Sequence, residues 1–169
     1  IFLPDAMYGQ RLTDGSLYKL HVHGANGWRD RIPAYAKRVV QDEQTKNYTA
    51  QFVIDKPYVW EHDDFRAPKV GELLIYEAHV GMAQEEAKVG SYVEFRDLVL
   101  PRIKAAGYNA VQLMAIAEHP YYGSFGYHVS SFFAPSSRFG TPDELRSLID
   151  RAHELGIAVI MDLVHAHYV

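Results

Sequence analysis

The chain has 169 residues, of which 48% are hydrophobic and 22% are charged, and its formal net charge is −4. This composition is typical of a globular protein with enough apolar residues for one domain or for parts of two. The negative charge argues against a surface that binds nucleic acid or an anionic membrane by bulk electrostatics, and no apolar run reaches membrane-spanning length. The absence of cysteine excludes a disulfide framework and a thiolate metal site.

Up to about Arg66 the sequence predicts short strands separated by turns. Residues Leu17 to His23 alternate imperfectly after the turn dipeptide Asp14-Gly15, and a second turn is expected at 24–27. Further β-rich runs cover Lys37 to Val40 and Thr49 to Ile54. We find no capped stretch of helical periodicity here, so an antiparallel β unit is expected.

The segment from Asp55 to Lys69 is typical of a linker. It contains proline breaks and the charged run Glu61-His62-Asp63-Asp64. Proline resists regular structure and charged side chains prefer solvent, so no strand or helix is expected here.

From Gly71 onward the pattern alternates between strands and helices. Buried strands are predicted at Leu73–Val80, Ala110–Ile116 and Ile157–Val164. Ser91 with Glu94 and Thr141 with Glu144 form capping boxes that open two helices. The first helix has Phe95, Leu98, Val99 and Ile103 on its apolar face, Pro101 to kink it and Gly107 to end it. The second has Leu145, Leu148, Ile149, Ala152 and Leu155, and ends at Gly156. Such units are parallel and fit a (β/α)₈ barrel or a doubly wound sheet.

Polar residues follow the strands at their carboxyl ends, where βα folds place their functional sites. Asp162 follows an apolar stretch, so its carboxylate needs a hydrogen-bond donor or a charge as its partner. Such a partner would fit a structural role and a functional role equally well. His165 and His167 could share a face for a metal ion, but we expect no metal site, because barrel enzymes that use such a pair place it on the first strand and here the pair ends the third. The aromatic and glycine-rich segment 121–128 suits either sugar stacking or a loop packed by its own side chains.

Several of these segments resemble eukaryotic-type 1,4-α-glucan branching enzymes of the α-amylase superfamily. Residues 75–82 (IYEAHVGM) are similar to the first barrel strand of that family, and residues 111–140 are similar to its second strand and the following loop. Residues 162–167 (DLVHAH) match a short motif of the superfamily in its branching-enzyme form. Residues 31–35 and 39–42 resemble the end of the β-sandwich that precedes the barrel.

The resemblance implies roles for three residues in substrate binding. Tyr127 would be the aromatic platform under the sugar next to the cleaved bond, Asp162 would anchor the active-site network, and His167 would hydrogen-bond hydroxyls of that sugar. Family members use a carboxylate nucleophile and a carboxylate acid/base in a retaining mechanism. In the family these residues come from the fourth and fifth strands, and a third aspartate comes from the seventh. The chain ends at the third, so we expect no catalytic carboxylate in it.

The predicted fold is therefore α/β, a partial (β/α)₈ TIM barrel of three strands preceded by the end of an antiparallel β-sandwich. Residues 1–66 would belong to the sandwich and linker, and residues 67–169 to the barrel. The parent protein is expected to be a branching enzyme without cofactor, acting on α-glucan such as glycogen, starch or amylose, in the cytoplasm or in a plant plastid. Its partner would be the remainder of the same polypeptide, with no nucleic acid and no membrane. The alternatives are another α-amylase-superfamily hydrolase and a non-catalytic α-glucan-binding fragment.

Overall fold

A computed structural model describes residues 2–54 and 56–167 of the chain. The elements in chain order are α1 (Asp5–Tyr8), β1 (Leu17–Tyr18), β2 (Leu20–Gly24), β3 (Gly27–Arg31), β4 (Val39–Gln41), β5 (Tyr48–Gln51), β6 (Ile75–Ala78), α2 (Tyr92–Glu94), α3 (Leu100–Ala105), β7 (Ala110–Leu113), β8 (Ala117–Glu118), β9 (Ser131–Pro135), α4 (Pro142–Glu154) and β10 (Ala158–Met161). None of the helices in these ranges is long and apolar enough to cross a membrane.

The first part of the chain consists of antiparallel β-structure. Strands β1, β5 and β4 form one sheet in that order, while β2 and β3 form a separate hairpin. The hairpin turns at the predicted segment 24–27, where Gly27 has a φ of +86° that favours glycine. The single strand predicted from Leu17 to His23 is wrong, because β1 and β2 join different sheets. A single helical turn, α1, precedes the strands and has no side-chain cap.

The second part contains a parallel sheet in the order β6, β7, β10. Ala110 of β7 pairs with Ile75 on one side and with Ala158 on the other, so the three strands run in register. Parallel strands in register end at the same edge of their sheet. The polar residues that follow the three strands are therefore brought to that edge, as the alternating pattern predicts.

Both long helical segments begin with the predicted capping boxes. The Ser91 hydroxyl accepts the Glu94 N–H at 3.1 Å, and the Glu94 carboxylate accepts the Ser91 N–H at 3.0 Å. Thr141 and Glu144 make the same reciprocal pair, with Pro142 in the first turn of α4. These contacts satisfy N–H groups that have no partner inside the helix, so they fix where α2 and α4 start.

The helix after β6 changes its hydrogen bonding just before Pro101. Residues Phe95–Val99 form a π-helical turn between α2 and α3, because the proline ring has no N–H to continue the α-helical ladder. The wider turn shifts the helical register. Leu98, predicted on the apolar face, is consequently 55% exposed, while Leu100 is fully buried.

The chain between β7 and α4 is more ordered than the long loop that the sequence predicts. Strands β8 and β9 form a small antiparallel pair with an irregular register. A 3₁₀ turn at Tyr122–Ser124 lies between them. The aromatic segment is thus held at its base by two paired strands.

The main core lies between the parallel sheet and the helices on one of its faces. Its fully buried members include Tyr92, Phe95, Leu100, Leu113, Leu148 and Ile157. The sequence predicts that the first parallel strand is buried throughout, and this is wrong. Ile75 and Tyr76 are 44% and 40% exposed, because β6 is an edge strand and no strand of the described residues pairs with its outer side.

Candidate functional site

A side-chain hydrogen bond at the carboxyl edge of the parallel sheet joins Tyr127 to Asp162. Asp162 directly follows β10, and its N–H donates to the carbonyl of Leu113 at the end of β7. The Tyr127 hydroxyl donates to Oδ2 of Asp162 at 2.8 Å. This hydrogen bond, with burial and the charges of Asp162 and Glu77, raises the pKa of Tyr127 to about 12. The hydroxyl therefore remains a donor near neutral pH and holds the carboxylate in one orientation.

The backbone before Tyr127 makes an unusually close turn. Phe125 and Gly126 both have positive φ, at 54° and 90°. A Cβ on Gly126 would lie 1.8 Å from the carbonyl oxygen of Ala115, so only glycine lets the loop approach the chain that follows β7. The Tyr127 N–H then donates to the Ser124 carbonyl at 3.0 Å. These contacts fix the position from which the Tyr127 ring leaves the loop.

His79 follows β6 and lies beneath the aromatic loop. The residue is 6% exposed, and its ring meets the rings of Tyr122, Phe125 and Phe139 at 5.5–5.8 Å, each nearly perpendicular. Neither ring nitrogen has a hydrogen-bond partner among the described residues. Burial, reinforced by nearby His119, lowers the pKa of His79, so its imidazole is neutral near pH 7. His79 therefore supports the aromatic loop through ring packing.

The third predicted binding residue does not join this contact. His167 is exposed, has a φ of 58°, and makes no hydrogen bond to another described residue. His165 is exposed as well. The structure thus joins Tyr127 and Asp162 by a hydrogen bond, and His167 makes no hydrogen bond to either of them.

Two further carboxylates lie near the strand ends and have different environments. Glu77 is exposed and accepts a hydrogen bond from Gln112 on the neighbouring strand at 3.2 Å. Glu118 is 1% exposed and accepts the backbone N–H groups of Ser137, at 2.7 Å, and His119, at 3.1 Å. A carboxylate occupied in this way by backbone donors stabilises the base of the loop.

A wide groove opens beside Asp162. Its volume is about 1200 Å³, and apolar side chains dominate its walls. The lining comes from the ends of β7 and β10, from β9 and from the first turns of α4, and includes Ile116, Phe132, Leu145, Met161 and Leu163. The groove places apolar surface next to the Asp162 carboxylate at the sheet edge.

One group of three side chains in residues 2–54 and 56–167 has the spacing of metal ligands. Atoms of Glu61, His62 and Asp150 lie within 4.8 Å of one another. The Asp150 oxygens, however, accept the N–H groups of Glu61 at 2.9 Å and His62 at 3.0 Å, and Nδ1 of His62 lies 3.2 Å from Oδ1. These bonds occupy most of the acceptor positions of the Asp150 carboxylate. The group is a clasp that ties the linker to α4, and the sequence pattern did not indicate it.

Comparison with known proteins shows what the chain is similar to. Residues 99–169 match the model of the alpha amylase catalytic domain. The chain is 53% identical over 172 aligned residues to a 1,4-alpha-glucan-branching enzyme of Arabidopsis thaliana, covering 99% of this chain and 21% of that protein. It is 48% identical to the Dictyostelium discoideum 1,4-alpha-glucan-branching enzyme, over 99% of this chain and 25% of the relative. The chain therefore spans about a fifth to a quarter of these relatives.

The fold also matches a solved structure. A crystal structure of an alpha-amylase candidate from Salmonella typhimurium superimposes with a TM-score of 0.75. The match covers 89% of this chain and 24% of the other, at 22% identity, which supports the α/β fold alone.

Proposed function

Because this chain belongs to the family of the 1,4-alpha-glucan-branching enzymes, we propose that it is part of an enzyme that introduces α-1,6 branches into an α-glucan. The enzyme would cleave an α-1,4 bond and transfer the released chain to a 6-hydroxyl. The observation that carries the proposal is the 53% identity across 99% of the chain. The Tyr127–Asp162 contact at the sheet edge supports it, because this edge is where a βα fold binds substrate.

The three predicted residues would all bind the sugar next to the cleaved bond. The Tyr127 ring would stack on the sugar, while its hydroxyl keeps Asp162 oriented. Asp162 would accept sugar hydroxyls with Oδ1, to which no described residue donates. His167 is exposed and would reach the sugar from the segment after β10. None of them supplies the bond-breaking chemistry, which in a retaining mechanism needs a nucleophile and an acid/base carboxylate.

The chain would supply two consecutive pieces of the parent protein. Residues 1–66 would be the end of a β-sandwich with its linker, and residues 67–169 the first three strands of a (β/α)₈ barrel. The parallel order of β6, β7 and β10 supports the second assignment. The two exposed edges of this sheet would then be paired by the remaining strands, since a closed barrel has no edge strands. The remainder of the polypeptide would also supply both catalytic carboxylates.

Product analysis tests the reaction. The complete polypeptide should convert amylose into a product with new α-1,6 bonds, measured by chain-length analysis before and after treatment with a debranching enzyme. Linear products alone would indicate another α-amylase-type hydrolase. Residues 1–169 by themselves should leave the iodine stain of amylose unchanged, because the remainder of the polypeptide would supply the nucleophile. A loss of stain that persists after repurification would contradict this assignment.

The same proposal names the partner and the compartment. The partner is an α-glucan such as glycogen, starch or amylose. The Arabidopsis thaliana relative is described as chloroplastic/amyloplastic. For this chain we propose the cytoplasm, or a plastid if the source is a plant. Fractionation of source cells followed by immunodetection of the protein tests the location.

A further inference from the structure

The loop that carries Tyr127 is anchored at its base by Arg138. The Arg138 guanidinium donates to the carbonyls of His119 at 3.1 Å and Pro120 at 3.2 Å. It also lies over the Tyr122 ring, 5.8 Å from the ring centre. Carbonyl groups in a loop have no hydrogen-bond partners in a regular strand ladder. A side-chain donor that binds two of them therefore fixes where the loop starts.

Arg138 does not act alone, because it is joined to the antiparallel part of the chain through Tyr48. Tyr48 lies in β5, and its hydroxyl lies 3.3 Å from the His119 carbonyl oxygen and 3.3 Å from an Arg138 nitrogen. Burial raises the pKa of Tyr48, so the hydroxyl is neutral and can accept from Arg138 while donating to the carbonyl. The contact spans 71 positions in the sequence.

The returning side of the loop rests on the same part of the chain. Ala134 in β9 is 2% exposed and packs with Ala36, Val39 and Ala50. The rings of Tyr35 and Phe133 meet at 4.7 Å. Both ends of the loop are therefore attached to the antiparallel part, one by hydrogen bonds and the other by apolar packing.

We propose that Tyr48 and Arg138 are positioning residues that hold the aromatic loop so that Tyr127 presents its ring to the substrate. The inference rests on the proposed function of Tyr127 as a sugar platform. Its physical basis is the strained turn at Phe125 and Gly126, since positive φ in a non-glycine residue persists only where surrounding contacts over-determine it. The antiparallel part would thereby contribute to catalysis without touching the substrate.

Kinetics of variants in the complete polypeptide test the proposal. Tyr48→Phe removes the hydroxyl and keeps the ring, and Tyr18→Phe is the matched control. Tyr18 packs on the same apolar cluster, and its hydroxyl has no hydrogen bond to a described residue. We expect Tyr48→Phe to lower kcat/KM on amylose about threefold to tenfold, the size of one neutral hydrogen bond, while Tyr18→Phe leaves it unchanged. The loss should lie mainly in kcat, because the platform orients the sugar at the cleaved bond.

The arginine variants separate positioning from folding. Arg138→Met should lower kcat further than Tyr48→Phe, and Arg138→Lys, which keeps one cationic donor, should recover part of the loss. The double variant Tyr48→Phe/Arg138→Met should be no slower than Arg138→Met, because both side chains act on the same carbonyls. Equal kcat/KM for Tyr48→Phe and Tyr18→Phe, or a loss of kcat that only follows a loss of Tm, would overturn the proposal.

A second measurement does not depend on the reaction. Amide exchange across residues 120–128 should be faster in Tyr48→Phe than in Tyr18→Phe, and equal rates would overturn the proposal. If the parent forms no α-1,6 bonds, the proposed function fails. Faster exchange would then still support the anchoring of the loop by Tyr48.

Discussion

Asp150→Asn should release the linker from α4 without disturbing the helix itself. Asp150 is 5% exposed, and its two oxygens accept the N–H groups of Glu61 and His62. Asparagine keeps one carbonyl oxygen and places an NH₂ group opposite the other N–H, so that two donors face each other. A hydrogen bond to a charged group contributes about 1.5–3 kcal/mol, and we expect a loss of about 2 kcal/mol.

The affected amides report on this loss directly. Their exchange depends on local opening of the linker, so about 2 kcal/mol corresponds to roughly 30-fold faster exchange. We would measure the exchange of Glu61 and His62 in the complete polypeptide, corrected for intrinsic rates. The control is Asp143→Asn, which removes the exposed ion pair with Arg146 on the same helix and should change these rates little.

The pH dependence of the same amides gives a second check. Burial raises the pKa of Asp150, but the hydrogen bonds from Glu61 and His62 outweigh it and hold the pKa below the usual 3.8. A lowered pKa in the folded state means that the stabilisation is present above pH 3.8 and is lost as the pH falls through the folded value.

Equal protection of the Glu61 amide in Asp150→Asn and in the parent at pH 7 would refute the clasp.

Three further predictions concern the loop, the buried histidine and the isolated chain. Gly126→Ala should lower the stability of the complete polypeptide by about 2 kcal/mol or more, from the cost of positive φ and the overlap with Ala115. Gly71→Ala, where a Cβ meets nothing within 4 Å, is the control, and equal melting temperatures would contradict the reasoning. Burial lowers the pKa of His79 below 6.5, so the unfolded state binds more protons and stability should fall as the pH drops below 6.5. In His79→Phe this fall should be smaller, and identical slopes of the melting temperature against pH would argue against it. Residues 1–169 alone should unfold over a broad denaturant range and bind a hydrophobic dye, because β6 and β10 are the open edges of the parallel sheet and β10 ends at an apolar groove. A soluble monomer with one cooperative transition would contradict this.

Local signals in the sequence predict most of the helices and strands. The capping boxes at Ser91 and Thr141 depend on residues three positions apart, so the helix starts follow from short-range chemistry. The apolar runs that become β6, β7 and β10 are equally local. The turn at 24–27 is predicted by its glycines, because positive φ is a property of a single residue.

The errors arise where a distant contact or a neighbouring element decides. Leu98 has the right spacing for the apolar face, but the π-helical turn before Pro101 rotates it outward. The apolar residues of β6 predict burial, but exposure depends on how many strands lie beside it. The linker was expected to be irregular, and it is, yet its attachment to Asp150 joins residues 88–89 positions apart.

In the candidate site, too, local features could be predicted from the sequence and distant contacts could not. The sequence by itself determined that Asp162 follows a buried strand and needs a partner, because a carboxylate after apolar residues loses water that must be replaced. Only the tertiary structure decided that this partner is the Tyr127 hydroxyl, 35 positions away. It also decided that the loop is held by Tyr48 and Arg138, 90 positions apart. Periodicity and capping act over a few residues, whereas these contacts exist only after the antiparallel and parallel sheets have packed together.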